Sequence, residues 1–127
     1  MSCVRTLALA APGNAELKWY EAAVEMQRLA ESWGDQSYGA VLVAGSAVVG
    51  QGPSRVVRDK NPNAHAERVA MLDAQLRLGR KSLAGTVLYS TSRPCSLCEA
   101  EAFHAGVSRM YFGPALQDAG SPVGHTQ

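Results

Sequence analysis

Apolar residues recur at Leu17, Tyr20, Val24, Leu29 and Trp33 with charged residues between them, a spacing that predicts a helix from about Ala15 to Ser32. Asn14 stands where a cap belongs, and Trp33-Gly34-Asp35 stops the pattern. The period then shortens. Tyr38 to Val43 and Ala47 to Gly50 read as two strands of a tight hairpin around Ala44-Gly45-Ser46, with Gly50-Gln51-Gly52-Pro53 ending the second. Arg55 to Asn63 is polar, carries Pro62 and reads as a loop. A second helix is expected from Ala64 to Leu78, with Val69, Leu72 and Leu76 at helical spacing and Gly79 as its C-terminal cap.

Thr86 to Thr91 is a β-branched and aromatic run without Pro or Gly, as a buried central strand requires. Pro94 is expected at the first position of a third helix running from Cys95 to about His104, closed by Gly106, with a strand from Val107 to Phe112 after it. The order α, β, β, α, β, α, β predicts an α/β protein, a mixed sheet flanked by helices. Pro114 to Gln127 reads as an irregular tail.

The chain has 127 residues, enough for one domain over 1–127 with one core. No stretch approaches the ~18–20 apolar residues of a membrane span. Met1 to Pro12 lacks the features of an export signal, and three cysteines, two of them three positions apart, suit a metal site in a reducing compartment better than a disulfide framework. The expected location is therefore the cytoplasm. A net charge of +1 supplies no global field for a polyanion.

The chemistry concentrates in two segments, His65-Ala66-Glu67 and Pro94-Cys95-Ser96-Leu97-Cys98, each at the expected start of a helix. One imidazole and two thiols make three Zn²⁺ ligands and leave the fourth tetrahedral position open, as a catalytic site requires; one ion per chain is expected. A helix N-terminus favours the thiolate form of Cys95 and Cys98. Two thiolates weaken the ion as a Lewis acid, so a base is needed, and Glu67 is two residues from a ligand. A closed structural site would need His104, His125 or Cys3 as a fourth ligand, and His104 reads as a packing residue. Tyr38 and Phe103 read as packing aromatics before stacking platforms, and Trp19 and Trp33 as core or subunit-interface residues.

The pairing of H-x-E with P-C-x-x-C is the signature of zinc deaminases. Together with Tyr38-Gly39-Ala40-Val41-Leu42-Val43, Asn61-Pro62-Asn63-Ala64-His65-Ala66-Glu67, Thr86 to Cys98 and Arg109-Met110-Tyr111-Phe112-Gly113, it makes the chain resemble the cytidine deaminase-like superfamily. The similar branch holds tRNA adenosine, guanine and fungal-type cytosine deaminases. The resemblance implies a three-layer α-β-α fold with about five strands. It also implies attack of activated water on the amino-bearing carbon of a heterocycle, with Glu67 protonating first the ring nitrogen and then the departing amine. It further implies that the backbone N–H of Cys95 holds the attacking oxygen, that Ala66 contacts the substrate, and that the chain forms a homodimer or higher homo-oligomer.

Two positions depart from that pattern. Ser54 stands where relatives usually place an Asn that bonds the base or sugar, and Arg93 where tRNA and guanine deaminases usually have Glu. Both are candidate substrate contacts. Glu99 and Glu101 replace small residues, with Arg93 or Arg109 as candidate ion-pair partners for one of them. The first functional expectation is a deaminase of a free aminated base or nucleoside of guanine or cytosine type. The second is a tRNA adenosine deaminase, disfavoured because Pro114 to Gln127 contains no Lys or Arg for phosphate contacts. The third is a catalytically silent zinc-stabilised binding module.

Overall fold

The computed structural model describes residues 16–124, so the expected cap at Asn14 lies outside the described residues. Helix α1 spans Leu17–Ser32, and strands β1 (Gly39–Ala44) and β2 (Ala47–Pro53) follow. Then come α2 (Ala66–Leu78), β3 (Thr86–Ser90), α3 (Ser96–Ala105), β4 (Arg109–Phe112) and β5 (Gln117–Gly120). The sheet order is β2-β1-β3-β4-β5. Only β3 and β4 are parallel, joined by the α3 crossover; the other neighbours are antiparallel.

Alternation along the strands builds two cores. Ala40, Leu42, Leu88 and Met110 face α2 and α3, whereas Val41, Val43, Tyr89 and Tyr111 face α1 with Trp19, Ala22 and Met26. The result is the expected three-layer α-β-α arrangement around a five-stranded mixed sheet.

The helices meet the sheet through faces other than those the leucines marked. On α2 the buried residues are Ala66, Glu67, Ala70, Met71 and Ala74, while Leu72 and Leu76 are 58% and 74% exposed. Gly50 and Gly52 explain it. A Cβ on Gly52 would lie 2.1 Å from the Ala66 carbonyl oxygen, and one on Gly50 2.3 Å from that of Ala70. The helix backbone thus sits directly on β2, and only an alanine stripe fits in the contact. On α1 the buried positions are Ala23 and Ala30, and Leu17 and Leu29 face outward.

The ends of elements also differ from expectation. His65 and Cys95 are the N-caps of α2 and α3, so Pro94 stands one residue before the cap and not at the first helical position. Gly79 and Gly106 do terminate α2 and α3 in left-handed conformation. Within the expected irregular tail, Gln117–Gly120 forms β5 against β4. Its Gln-Asp-Ala-Gly sequence carries almost no strand propensity; pairing with an otherwise open edge and the Arg109–Asp118 ion pair at 3.0 Å hold it.

Candidate active site

Two helix N-termini converge beside the C-terminal end of β3. His65 caps α2 with extended backbone; Cys95 caps α3 in the same conformation, its sulfur accepting the Cys98 N–H at 3.4 Å. The orphan N–H groups of both first turns therefore surround one point and favour negative charge there.

The three proposed ligands meet at that point. His65 Nδ1 lies 3.7 Å from Cys95 Sγ and 3.5 Å from Cys98 Sγ, and all three atoms fall within 4.8 Å of one another. Bonds of about 2.3 Å to sulfur and 2.0–2.1 Å to nitrogen at a tetrahedral angle call for nitrogen–sulfur separations of about 3.5 Å. The donor set thus fits Zn²⁺ in type and spacing. Among the described residues this is the only such cluster, and His104 is not in it.

Glu67 is 5% exposed and close to the ligands without joining them. Its Oε2 accepts the Ser90 hydroxyl at 2.7 Å, and its Oε1 lies 3.8 Å from Cys98 Sγ, which donates to it. Burial pushes the Glu67 carboxyl above its ordinary value, against the lowering effect of the Ser90 bond. The Cys98 thiol is pushed up as well, first by burial and then by the Glu67 carboxylate and Cys95. A coordinated cation reverses the preference of the thiol, because a metal-bound thiol is deprotonated outright.

Next to this cluster opens a cavity of about 210 Å³ lined by His65, Ala66, Glu67 and Cys95 together with Gln36, Tyr38, Ser92 and Arg93. The backbone N–H groups of Ala66 and Cys95 meet no acceptor among the described residues. A larger depression of about 640 Å³ lies on the outer side of α2, beside Leu72 and Leu76, and contains neither a ligand nor Glu67. Ligand geometry, not size, therefore locates the chemistry.

The remaining candidates are placed unevenly. Arg93 lines the cavity, its guanidinium 5.1 Å from the centre of the Phe112 ring. Ser54 does not line it: the side chain is 1% exposed, and its hydroxyl donates to Asp35 Oδ1 at 2.9 Å. Asp35 also accepts from the backbone N–H groups of Gln36, Val57 and Arg58, at 2.8, 3.0 and 2.7 Å. This carboxylate ties the end of α1 to the loop that leads into His65. The expected partners of the acidic pair on α3 are also different: Glu101 meets Arg68 at 3.4 Å, Arg109 is taken by Asp118, and Glu99 accepts the Val123 N–H.

Sequence reasoning missed Ser90, Gln36 and Asp35, and it read Tyr38 as a packing residue, although Tyr38 is 45% exposed and lines the cavity. Phe103, read the same way, is 49% exposed. Strand alternation contained the signal for Ser90, since it shares the face of buried Leu88 and a hydroxyl there needs a buried partner.

Known proteins with the same arrangement are recognisable. Residues 14–114 match the family described as the cytidine and deoxycytidylate deaminase zinc-binding region. The tRNA-specific adenosine deaminase of Buchnera aphidicola (subsp. Schizaphis graminum) is 30% identical over 105 residues, 83% of this chain and 70% of that protein. The guanine deaminase of Bacillus subtilis is 30% identical over 82 residues, 65% of this chain and 53% of that one. A solved tRNA:A34 deaminase superposes with a TM-score of 0.74 at 32% identity, covering 77% of this chain and 71% of that one. The structure of the Bacillus subtilis guanine deaminase gives a TM-score of 0.72 at 27% identity, over 76% and 62% of the two chains. The chain spans 70%, 62% and 58% of the length of three tRNA-specific adenosine deaminases that it matches. With the ligand geometry, the fold and the match over residues 14–114 in agreement, the chain belongs to the cytidine and deoxycytidylate deaminase family of zinc-dependent hydrolases that act on C–N bonds.

Proposed function

We propose that the protein hydrolytically deaminates an adenine base presented by RNA, giving the 6-oxo base and ammonia. The supporting observation is the likeness to tRNA-specific adenosine deaminases over about four fifths of the chain, at 30% and 32% identity over 83% and 79% of its length. This reverses the order expected from charge and tail composition.

In this reading His65, Cys95 and Cys98 hold Zn²⁺, which when bound supplies Lewis-acid activation of water. Glu67 would take one proton from the attacking water and give it to the ring nitrogen, then take the remaining proton of the added hydroxyl and give it to the amine that leaves as ammonia; its raised pKa suits a group that must both accept and give. Ser90 fixes one carboxylate oxygen and leaves the other facing the ligands. The free N–H of Cys95 holds the oxygen that attacks, and that of Ala66 binds the base. Tyr38 and Arg93 contact the nucleotide from the cavity wall, whereas Ser54 acts through Asp35 on the loop.

The test is ammonia and inosine formation by the zinc-loaded protein on an RNA hairpin with an unpaired adenosine, against free adenine, guanine, cytosine and their nucleosides. Hairpin turnover supports the reading; turnover of free bases alone sinks it. The second reading, a free-base or nucleoside deaminase, is favoured by the +1 net charge and by a cavity of about 210 Å³ that holds little beyond one heterocycle.

Two further elements belong to the same proposal. Thiolate ligands suit a reducing compartment such as the cytoplasm. Leu72 and Leu76, exposed beside Leu29, support a homodimer or higher homo-oligomer, which sedimentation would test by giving a mass above that of one chain.

A further inference from the structure

We propose that Arg93 is a phosphate-binding specificity residue, so that the pocket takes an aminated base carrying a phosphoryl group and not the bare heterocycle. The inference rests on the deaminase reading above and narrows its substrate class.

The arginine is an exposed donor at the cavity wall. Its backbone follows Ser90, which is buried and bonded to Glu67, and precedes buried Pro94 and the cap residue Cys95. Its guanidinium is held against the Phe112 ring, 5.1 Å from the ring centre. A ring contact uses no N–H donor, and the guanidinium has no hydrogen-bond acceptor among the described residues, so its donors are available. Other arginines are committed elsewhere: Arg55 to Asp59, Arg68 to Glu101, Arg77 to Asp73 and Arg109 to Asp118. Arg93 has no carboxylate within ion-pair distance among the described residues. Glu67, the one acidic residue lining the same cavity, bonds Ser90 and Cys98 instead.

A cation with an unused planar fork beside a cavity of about 210 Å³ fits a ligand in two parts. The heterocycle fills the cavity, with its amine toward Glu67 and the ligands. The attached phosphate meets the guanidinium in the bidentate geometry for which arginine is suited. The phosphate can be the 5′-phosphate of a mononucleotide or a backbone phosphate of RNA, and the chemistry at Arg93 is the same.

The experiment compares adenosine, adenosine 5′-monophosphate and the RNA hairpin on the zinc-loaded full chain, in the wild type, Arg93→Gln and Arg93→Lys. Turnover is measured alongside binding by isothermal titration. Loss of a charge-assisted bidentate contact is expected to weaken the phosphorylated ligand roughly tenfold or more, mainly in KM. The preference for phosphorylated over unphosphorylated ligand then collapses in Arg93→Gln and is partly kept in Arg93→Lys. On the hairpin, the slope of log affinity against log salt falls by about one in Arg93→Gln. An effect confined to the mononucleotide or to the hairpin identifies which phosphate is held. Equal affinity of wild type and Arg93→Gln for both phosphorylated ligands overturns the proposal, as does an equal loss for adenosine and its phosphate. If no ligand is turned over, the deaminase reading fails, while the binding arm still decides the role of Arg93.

Discussion

At the scale of single residues, two carboxylates do opposite work. Glu67 is buried with its pKa raised, as the proposed proton exchange needs; Asp35 is ringed by donors and its charge anchors a loop. Glu67→Gln keeps the shape and the contact with Ser90 but removes the proton acceptor. Zinc content is expected to stay at one per chain while turnover falls about 10²–10⁴-fold. For Asp35, partial burial raises the pKa, but the N–H groups of Arg58, Gln36 and Val57 and the Ser54 hydroxyl outweigh it, and the net shift is downward. A depressed folded-state pKa contributes stability above the unfolded value of about 3.9, and that stability is lost as pH falls through the lower folded value. Asp35→Asn is therefore expected to lower the melting temperature at pH 7, with the gap from wild type narrowing as pH falls below about 3.9. A gap that does not narrow at all below that pH would remove the charge from the explanation.

At the scale of elements, the contact between β2 and α2 positions the site, since α2 carries Ala66 and Glu67 in its first turn and His65 as its cap. A Cβ on Gly52 would stand 2.1 Å from the Ala66 carbonyl oxygen and 2.5 Å from the Ala70 nitrogen, both backbone atoms that no side-chain rotation can clear. Gly52→Ala is expected to cost about 1–3 kcal/mol or more, as overpacking does, and to displace the start of α2. Thermal unfolding and zinc content should both fall; a variant with wild-type values of both would show that the helix can lift without moving His65.

At the scale of the whole molecule, the proposed metal site joins the start of α2 to the start of α3, two helices also brought together by the same face of the sheet and by the Arg68–Glu101 pair. Removing the ion leaves the buried Cys98 thiol and the Glu67 carboxyl in contact without a cation between them. A chelator is therefore expected to lower the melting temperature and abolish turnover, and zinc to restore both. Thiol modification of the chelated protein should begin at exposed Cys95 and reach buried Cys98 only later. Equal rates at the two positions would mean that the α3 start opens when the metal leaves.

The ligand set and the order of elements were legible from sequence because both are local: His65-Ala66-Glu67 and Pro94 to Cys98 carry their spacing with them, and strand alternation or a glycine cap is read over a few residues. Which face of each helix is buried was not legible. Leucine spacing marked Leu72 and Leu76, but the close approach set by Gly50 and Gly52, nonadjacent to α2 in the chain, left room for alanines only. Strand β5 has no local propensity and exists because β4 offers an edge. Ser54 is a candidate substrate contact only by standing where relatives place an Asn, and its hydroxyl bonds Asp35, 19 positions away. Sequence by itself thus determined the donors and the chemistry they support. The tertiary structure decided which polar groups are used up among themselves and which, as with Arg93, stand at the cavity wall without a carboxylate partner among the described residues, because that depends on contacts between residues far apart in the chain.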